Sequence, residues 1–139
     1  STMADYLRFA QMLLNGGELD GVRLLSPKMM QLMVANHLPG PAGVGGEMQA
    51  LSVSTISESM HAGVGFGLGM AVVIDPARTL TPCTKGEFYW GGIASTAFWV
   101  DPVEEITAVF MTQLMPSSTY PIRRELRTLV YSALMNPAS

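Results

Sequence analysis

The stretch Glu87 to Leu114, EFYWGGIASTAFWVDPVEEITAVFMTQL, constrains this chain more than any other. It reads as three consecutive strands of an antiparallel sheet, Glu87–Gly92, Ser95–Val100 and Ile106–Leu114. Asp101-Pro102 separates the second from the third. Proline fixes φ and lacks an N–H, which suits a corner and not a central strand. The third strand is apolar on both side-chain registers, with Ile106, Ala108 and Phe110 on one and Val109 and Met111 on the other. A sheet with one wet face alternates more cleanly. Both faces are therefore predicted to be covered, most simply by helices.

Helical patterns flank this stretch. Thr2 is a good N-cap and Asp5 sits in the first turn, against the helix dipole. Apolar residues then recur at Met3, Tyr6, Leu7, Ala10, Leu13 and Leu14, which predicts a helix over Met3 to Leu14. Asn15-Gly16-Gly17 ends it, because glycine takes the left-handed conformation without a Cβ penalty. Glu18 to Leu25, with a turn at Asp20-Gly21, suits a small two-stranded ribbon. Ser26-Pro27 starts a second short helix, with Ser as cap and Pro at the first helical position. Gly40 to Met60 is loop-like. In Gly63 to Ile74, Gly65, Gly67 and Gly69 alternate with Phe66, Leu68 and Met70. That period predicts one strand whose glycine face is closely approached. It is not a phosphate loop, since no glycine-rich turn here opens a helix after a strand. Asp75-Pro76 is a turn and Ala77 to Gly86 a loop. Near the end, Ser118 or Thr119 caps a last helix with Pro121 in its first turn. Its apolar stripe is Ile122, Leu126, Leu129, Val130, Ala133 and Leu134, and Asn136-Pro137 ends it. Arg123, Arg124 and Arg127, interrupted by Glu125, read as its solvated face.

Several function classes drop out. The net charge is −3, the pI is about 5.2 and there is no basic run, so no nucleic-acid partner is implied. Cys83 is the single cysteine, which leaves no internal disulfide framework. His37 and His61 are far apart and lack carboxylate or cysteine company, so no metal site and no cofactor is expected. No apolar run approaches the ~20 residues that span a bilayer. Charged residues make up only 14% and mean hydropathy is +0.28, an apolar balance for a soluble chain. It fits either a well-packed domain or a chain whose apolar surface belongs against a missing segment.

In combination these pieces resemble the C-terminal part of the serine β-lactamase-like superfamily, on the side of the family VIII-type esterases related to class C β-lactamases. STMADYLRFAQMLLNGGELDGVRLLSP resembles a helix, turn and second helix of that family. GFGLGMAVV resembles the glycine-rich strand before its active-site strand. FYWGGIASTAFWVDP followed by ITAVFMTQL and a helix resembles its last strands and terminal helix. The resemblance implies an α+β fold, an antiparallel sheet covered by the N- and C-terminal helices, with residues 1–139 as one segment of a single β-lactamase-like domain.

The family carries its chemistry on a Ser-x-x-Lys nucleophile motif, a second Tyr- or Ser-containing motif and a Lys-Thr-Gly-type strand. No Ser in this chain has Lys three residues on, no Tyr-x-Asn occurs, and there is no Gly-x-Ser-x-Gly elbow. Trp90-Gly91-Gly92 stands at the third motif. The resemblance thus implies that the nucleophile and base lie N-terminal to Ser1, and that the N-terminal part of the same protein is the partner this sheet lacks.

Acyl transfer through a serine needs N–H donors aimed at the oxyanion. By the family's pattern, Ile93 supplies one from its backbone, while Trp90, Gly91 and Gly92 contact substrate. A Cβ at Gly92 would crowd a ligand lying on the strand. Trp90 replaces the cation that β-lactamases usually hold there for a substrate carboxylate, which favours neutral, apolar small-molecule esters. Read without the family, Trp90 is a core aromatic next to Phe88 or Phe98, and Gly91-Gly92 is a tight turn. Three functions follow: ester hydrolysis by a larger serine hydrolase; β-lactam, D-amino-acid peptide or acyl-transfer chemistry on the same fold; or a self-sufficient, non-enzymatic ligand- or partner-binding module.

Overall fold

The computed structural model describes residues 1–40, 62–117 and 119–135. In chain order they form α1 (Met3–Leu14), β1 (Glu18–Leu19), β2 (Val22–Arg23), α2 (Pro27–Met33), β3 (Val64–Phe66), β4 (Ala71–Val73), α3 (Pro76–Thr79), β5 (Phe88–Gly91), β6 (Ala97–Asp101), β7 (Ile106–Phe110) and α4 (Ile122–Ser132). β1 and β2 make a two-stranded ribbon, and β3 to β7 make a five-stranded antiparallel meander in sequence order. No helix of the described residues is long and apolar enough to cross a membrane.

The register divides the sheet into two faces. Phe88 lies opposite Val100, and Tyr89 opposite Trp99. Successive side chains of a strand point to opposite faces. Phe88, Phe98 and Val100 join Val72 and Met70 against Ala10 and Leu13 of α1 and Met30 of α2, forming the buried core. Tyr89 and Trp99 point the other way, under α4, where the Arg127 guanidinium lies 4.6 Å and 5.4 Å from their ring centres. One helix from each end of the chain therefore covers each face, as the α+β reading expected. α1 begins as its sequence implies: the Thr2 hydroxyl accepts from the Asp5 N–H at 3.2 Å and donates to Oδ2 of Asp5 at 2.6 Å.

Four local expectations change. The glycine-alternating segment is not one strand but the β3–β4 hairpin. Gly67 donates to the Met70 carbonyl at 2.8 Å, and Gly69 turns the chain at φ +94°. The four-residue loop 67–70 carries the glycine alternation through the turn itself, while Phe66 pairs with Ala71 and Gly65 with Val72, so alternation alone does not separate a strand from a hairpin. The close approach was read correctly at two positions: a Cβ on Gly65 would collide with Asn36, and one on Gly67 with the Met33 carbonyl. Asn36 uses the space at Gly65 to accept from the Phe66 N–H at 3.0 Å.

Residues 77–86 hold the single turn of α3 as well as loop. The last helix starts two or three residues later than its cap signals imply, with Pro121 at the N-cap and no side-chain cap bond. Thr119 instead donates to the Pro116 carbonyl at 2.7 Å. Ser118, Asn136-Pro137 and nearly all of the Gly40–Met60 loop lie outside the described residues.

The fourth change concerns α4. None of its residues is buried, and Leu129 in the predicted packing stripe is 68% exposed. Arg123, Arg127 and Tyr131, at successive fourth positions, make the recorded contacts with the sheet. The solvated-face reading of Arg123 and Arg127 is therefore overturned. The reason lies in the sheet, which offers α4 two buried carboxylates and two turn carbonyls, Gly92 and Thr96, each able to accept a second donor.

Candidate functional site

β5 leaves the sheet through Gly92, Ile93, Ala94 and Ser95 before Thr96 leads into β6. The turn is held at several points. Gly92 donates to the Thr96 carbonyl at 3.0 Å and Ser95 to the Gly92 carbonyl at 3.1 Å. Ser95 is buried at φ +66°, and its hydroxyl donates to the Leu114 carbonyl at 2.8 Å. Leu114 returns an N–H to the Ala94 carbonyl at 3.2 Å. Among the described residues no acceptor meets the Ile93 N–H, and Ile93 is 67% exposed.

Beside this turn opens a cleft of about 690 Å³. Trp90, Gly91 and Gly92 line one side, Tyr6 of α1 another, and Phe110 and Gln113 a third. Ile93 follows Gly92 but is not itself part of the lining. Trp90 is not a core aromatic: it is 42% exposed and stands edge-to-face on Phe66, with ring centres 5.2 Å apart at 71°. The structure thus brings three of the four sequence-derived residues into one cleft and leaves the fourth at the adjoining turn. The glycines have protein neighbours. A Cβ on Gly91 would stand 2.8 Å from the Arg123 guanidinium, and one on Gly92 would collide with the Thr96 hydroxyl.

Two groups escaped the sequence reading. Arg123 reaches the turn from α4. Its Nη2 donates to the Gly92 carbonyl at 2.6 Å and to the Thr96 carbonyl at 3.1 Å, and its Nε reaches the latter at 3.3 Å. Farther along α4, the Tyr131 hydroxyl lies 2.7 Å from Oε2 of Glu87 and 2.5 Å from Oδ2 of Asp101. Both carboxylates are fully buried. A phenol has one hydrogen, so Tyr131 can donate to only one of the two carboxylates at a time. Glu87 is the carboxyl whose environment favours the protonated form. Burial pushes its pKa up from 4.5 to about 7, against the opposing pull of Arg127 and the Tyr131 hydroxyl. Arg127 stands 2.5 Å from Oε1 of Glu87, close enough to pair charges but not aligned for a hydrogen bond. Burial, then the Glu87 charge, pushes the Tyr131 phenol far above its ordinary value, so it stays protonated. The i, i+4, i+8 spacing of Arg123, Arg127 and Tyr131 was the available signal, but such a row reads equally as a wet helix face.

The remaining titratable groups do not converge on the cleft. No group of three or more His, Cys, Asp or Glu is placed to hold a metal among the described residues. Burial raises the pKa of the Cys83 thiol, which sits 3.2 Å from the Thr79 hydroxyl. His37 places Nε2 2.7 Å from the Leu32 carbonyl. His61 lies outside the described residues, as do Met48 and Met60.

The meander with a terminal helix on each face defines the class, the β-lactamase/transpeptidase-like fold of serine hydrolases and acyltransferases. The chain belongs to the Beta-lactamase family, whose profile matches residues 1–132. Among curated proteins it is similar to Rv1367c of Mycobacterium tuberculosis, 35% identical over 119 residues that make up 84% of this chain and 28% of that protein. The chain therefore spans less than a third of that relative. Among solved structures it is similar to EstCE1, described as a hydrolase with promiscuous acyltransferase activity. That match has 25% identity and a TM-score of 0.68, over 92% of this chain and 29% of the other. Simvastatin synthase LovD of Aspergillus terreus shares the fold at 22% identity and a TM-score of 0.71, over 94% of this chain and 33% of its own. A penicillin-binding protein homolog of Caulobacter crescentus does so at 20% and 0.59, over 91% and 30%.

Proposed function

We propose that this chain is the C-terminal part of a serine hydrolase that cleaves neutral carboxylic esters through an acyl-enzyme. The observation that carries the proposal is the Ile93 N–H, left without an acceptor among the described residues, on a pinned turn beside a cleft walled by Trp90. A serine on the N-terminal part of the same protein attacks the ester carbonyl, and the alcohol leaves with a proton from the base. Water then releases the acid. The Ile93 amide serves as one donor to the oxyanion in both steps. Trp90, braced edge-to-face by Phe66, offers an apolar wall where a β-lactam carboxylate would want a cation, which favours uncharged esters. Transfer of the acyl group to an alcohol instead of water is the second reading, supported by the acyltransferase activity in the description of EstCE1.

The test compares this chain with the longer polypeptide that carries the serine. The chain alone is expected to be inert. The longer protein is expected to turn over p-nitrophenyl esters and to leave nitrocefin nearly untouched. Ile93→Pro in the longer protein removes the N–H and should lower kcat by about 10²–10³-fold. Ester turnover by the 139 residues alone, or full activity in Ile93→Pro, overturns the proposal.

A further inference from the structure

We propose that Arg123 is a positioning residue for the oxyanion hole, holding the peptide between Gly92 and Ile93 so that its N–H faces the cleft. The inference rests on the ester-hydrolase reading and adds a residue to it. The Gly92 carbonyl and the Ile93 N–H belong to one planar peptide unit. In a trans unit they point in opposite directions, so fixing the oxygen fixes the hydrogen. Arg123 grips that oxygen at 2.6 Å from the far side of the turn. It also grips the Thr96 carbonyl, through Nη2 at 3.1 Å and Nε at 3.3 Å, at the other end of the same turn. A flip of the Gly92–Ile93 peptide would break the first bond and put a carbonyl where the oxyanion must sit. A charged donor on the carbonyl also polarises the unit, which makes its N–H a stronger donor to developing negative charge.

The neighbouring sequence is consistent with this role. Gly91 leaves room for the guanidinium, because a Cβ there would stand 2.8 Å from it. The planar fork of arginine spans two carbonyls at once, which the single ammonium of lysine does with poorer geometry. The Ser95 N–H bonds the same Gly92 oxygen at 3.1 Å, but Ser95 moves with the turn. Arg123 is anchored outside it, on α4, and so can resist a flip of the whole turn.

The experiment uses the full-length protein with Arg123→Ala and Arg123→Lys. Arg123→Ala is expected to lower kcat by about 10–100-fold, less than outright loss of a donor, while KM stays within a factor of about 3. Added guanidinium should restore part of the lost kcat in Arg123→Ala and none in Ile93→Pro, which has no N–H to orient. Arg123→Lys should fall between wild type and Arg123→Ala. In a ¹⁵N–¹H spectrum, the Ile93 amide resonance should shift upfield and broaden in Arg123→Ala as both peptide orientations become populated. A kcat that is unchanged, or that falls without recovering in guanidinium, overturns the inference, as does an unmoved Ile93 resonance. A wild-type protein without ester turnover sinks the underlying reading instead, and the Ile93 resonance still reports on the positioning contact by itself.

Discussion

The two terminal helices meet the sheet with different chemistry. On one face, α1 lays Ala10 and Leu13 against Phe88, Phe98 and Val100, with exposures from 0% to 6%. Tyr6 meets Phe98 edge-on at 5.2 Å. On the other, α4 buries none of its residues and instead ties Arg123, Arg127 and Tyr131 to turn carbonyls and to Glu87 and Asp101. Glu87 and Phe88 are chain neighbours and belong to the two systems. Apolar burial is non-directional and scales with area. A buried polar network specifies a geometry and costs free energy wherever a member is unsatisfied. The α1 face is therefore suited to support the sheet, and the α4 face to orient the turn beside the cleft.

The comparison breaks first where the apolar face is emptied. Phe88 is 1% exposed, and Phe88→Ala is expected to lower the unfolding free energy by about 3–5 kcal/mol. Urea denaturation measures it, and the loss should be the same at pH 5 and pH 8 because no titrating group is removed. A loss below about 1 kcal/mol would mean that the α1 face is not the main support.

The next effect belongs to the polar face and depends on pH. The folded protein holds the Glu87 proton up to about pH 7, whereas an ordinary glutamate releases it near 4.5. Between those values the folded state binds the extra proton, so stability falls as pH rises. The contribution is complete below about pH 4.5 and lost once pH passes through 7. The full span is about 3 kcal/mol by the free-energy value of a pKa shift. Glu87→Gln removes the titration while keeping a donor for the Tyr131 oxygen, and should flatten that slope. Thermal melts from pH 4.5 to 8 decide it: a wild-type slope of opposite sign, or a Glu87→Gln slope equal to wild type, contradicts the raised Glu87 pKa.

How legible these features were in the sequence follows the same division. β5 to β7 could be read because apolar residues on both registers and Asp101-Pro102 are local signals. α1 could be read because Thr2 caps it and Gly16-Gly17 stops it. Trp90-Gly91-Gly92 was visible through its resemblance to a family motif and its place at a strand end. Arg123, Arg127 and Tyr131 were not, because a polar helix residue looks solvated until its partner is known. Glu87 and Asp101 lie 44 and 30 residues from Tyr131, and no local pattern reports a contact of that range. The β3–β4 hairpin was missed for a different reason, that Gly67 and Gly69 continue the alternation through the turn itself.

The smallest effect tests α4 itself. Its stripe of Ile122, Leu126, Leu129 and Val130 has the spacing of a packing face, and a buried leucine cut to alanine costs about 2–5 kcal/mol. Leu129 is 68% exposed, so Leu129→Ala is expected to change the unfolding free energy of this chain by less than about 0.5 kcal/mol. Arg127→Ala on the same helix should cost several times more above pH 7, because it leaves an ionised Glu87 in a fully buried site. Measuring both in one urea series compares the two stripes of α4 directly. If Leu129→Ala costs more than Arg127→Ala, α4 is held by its apolar stripe after all, and the contrast between the faces of the sheet fails.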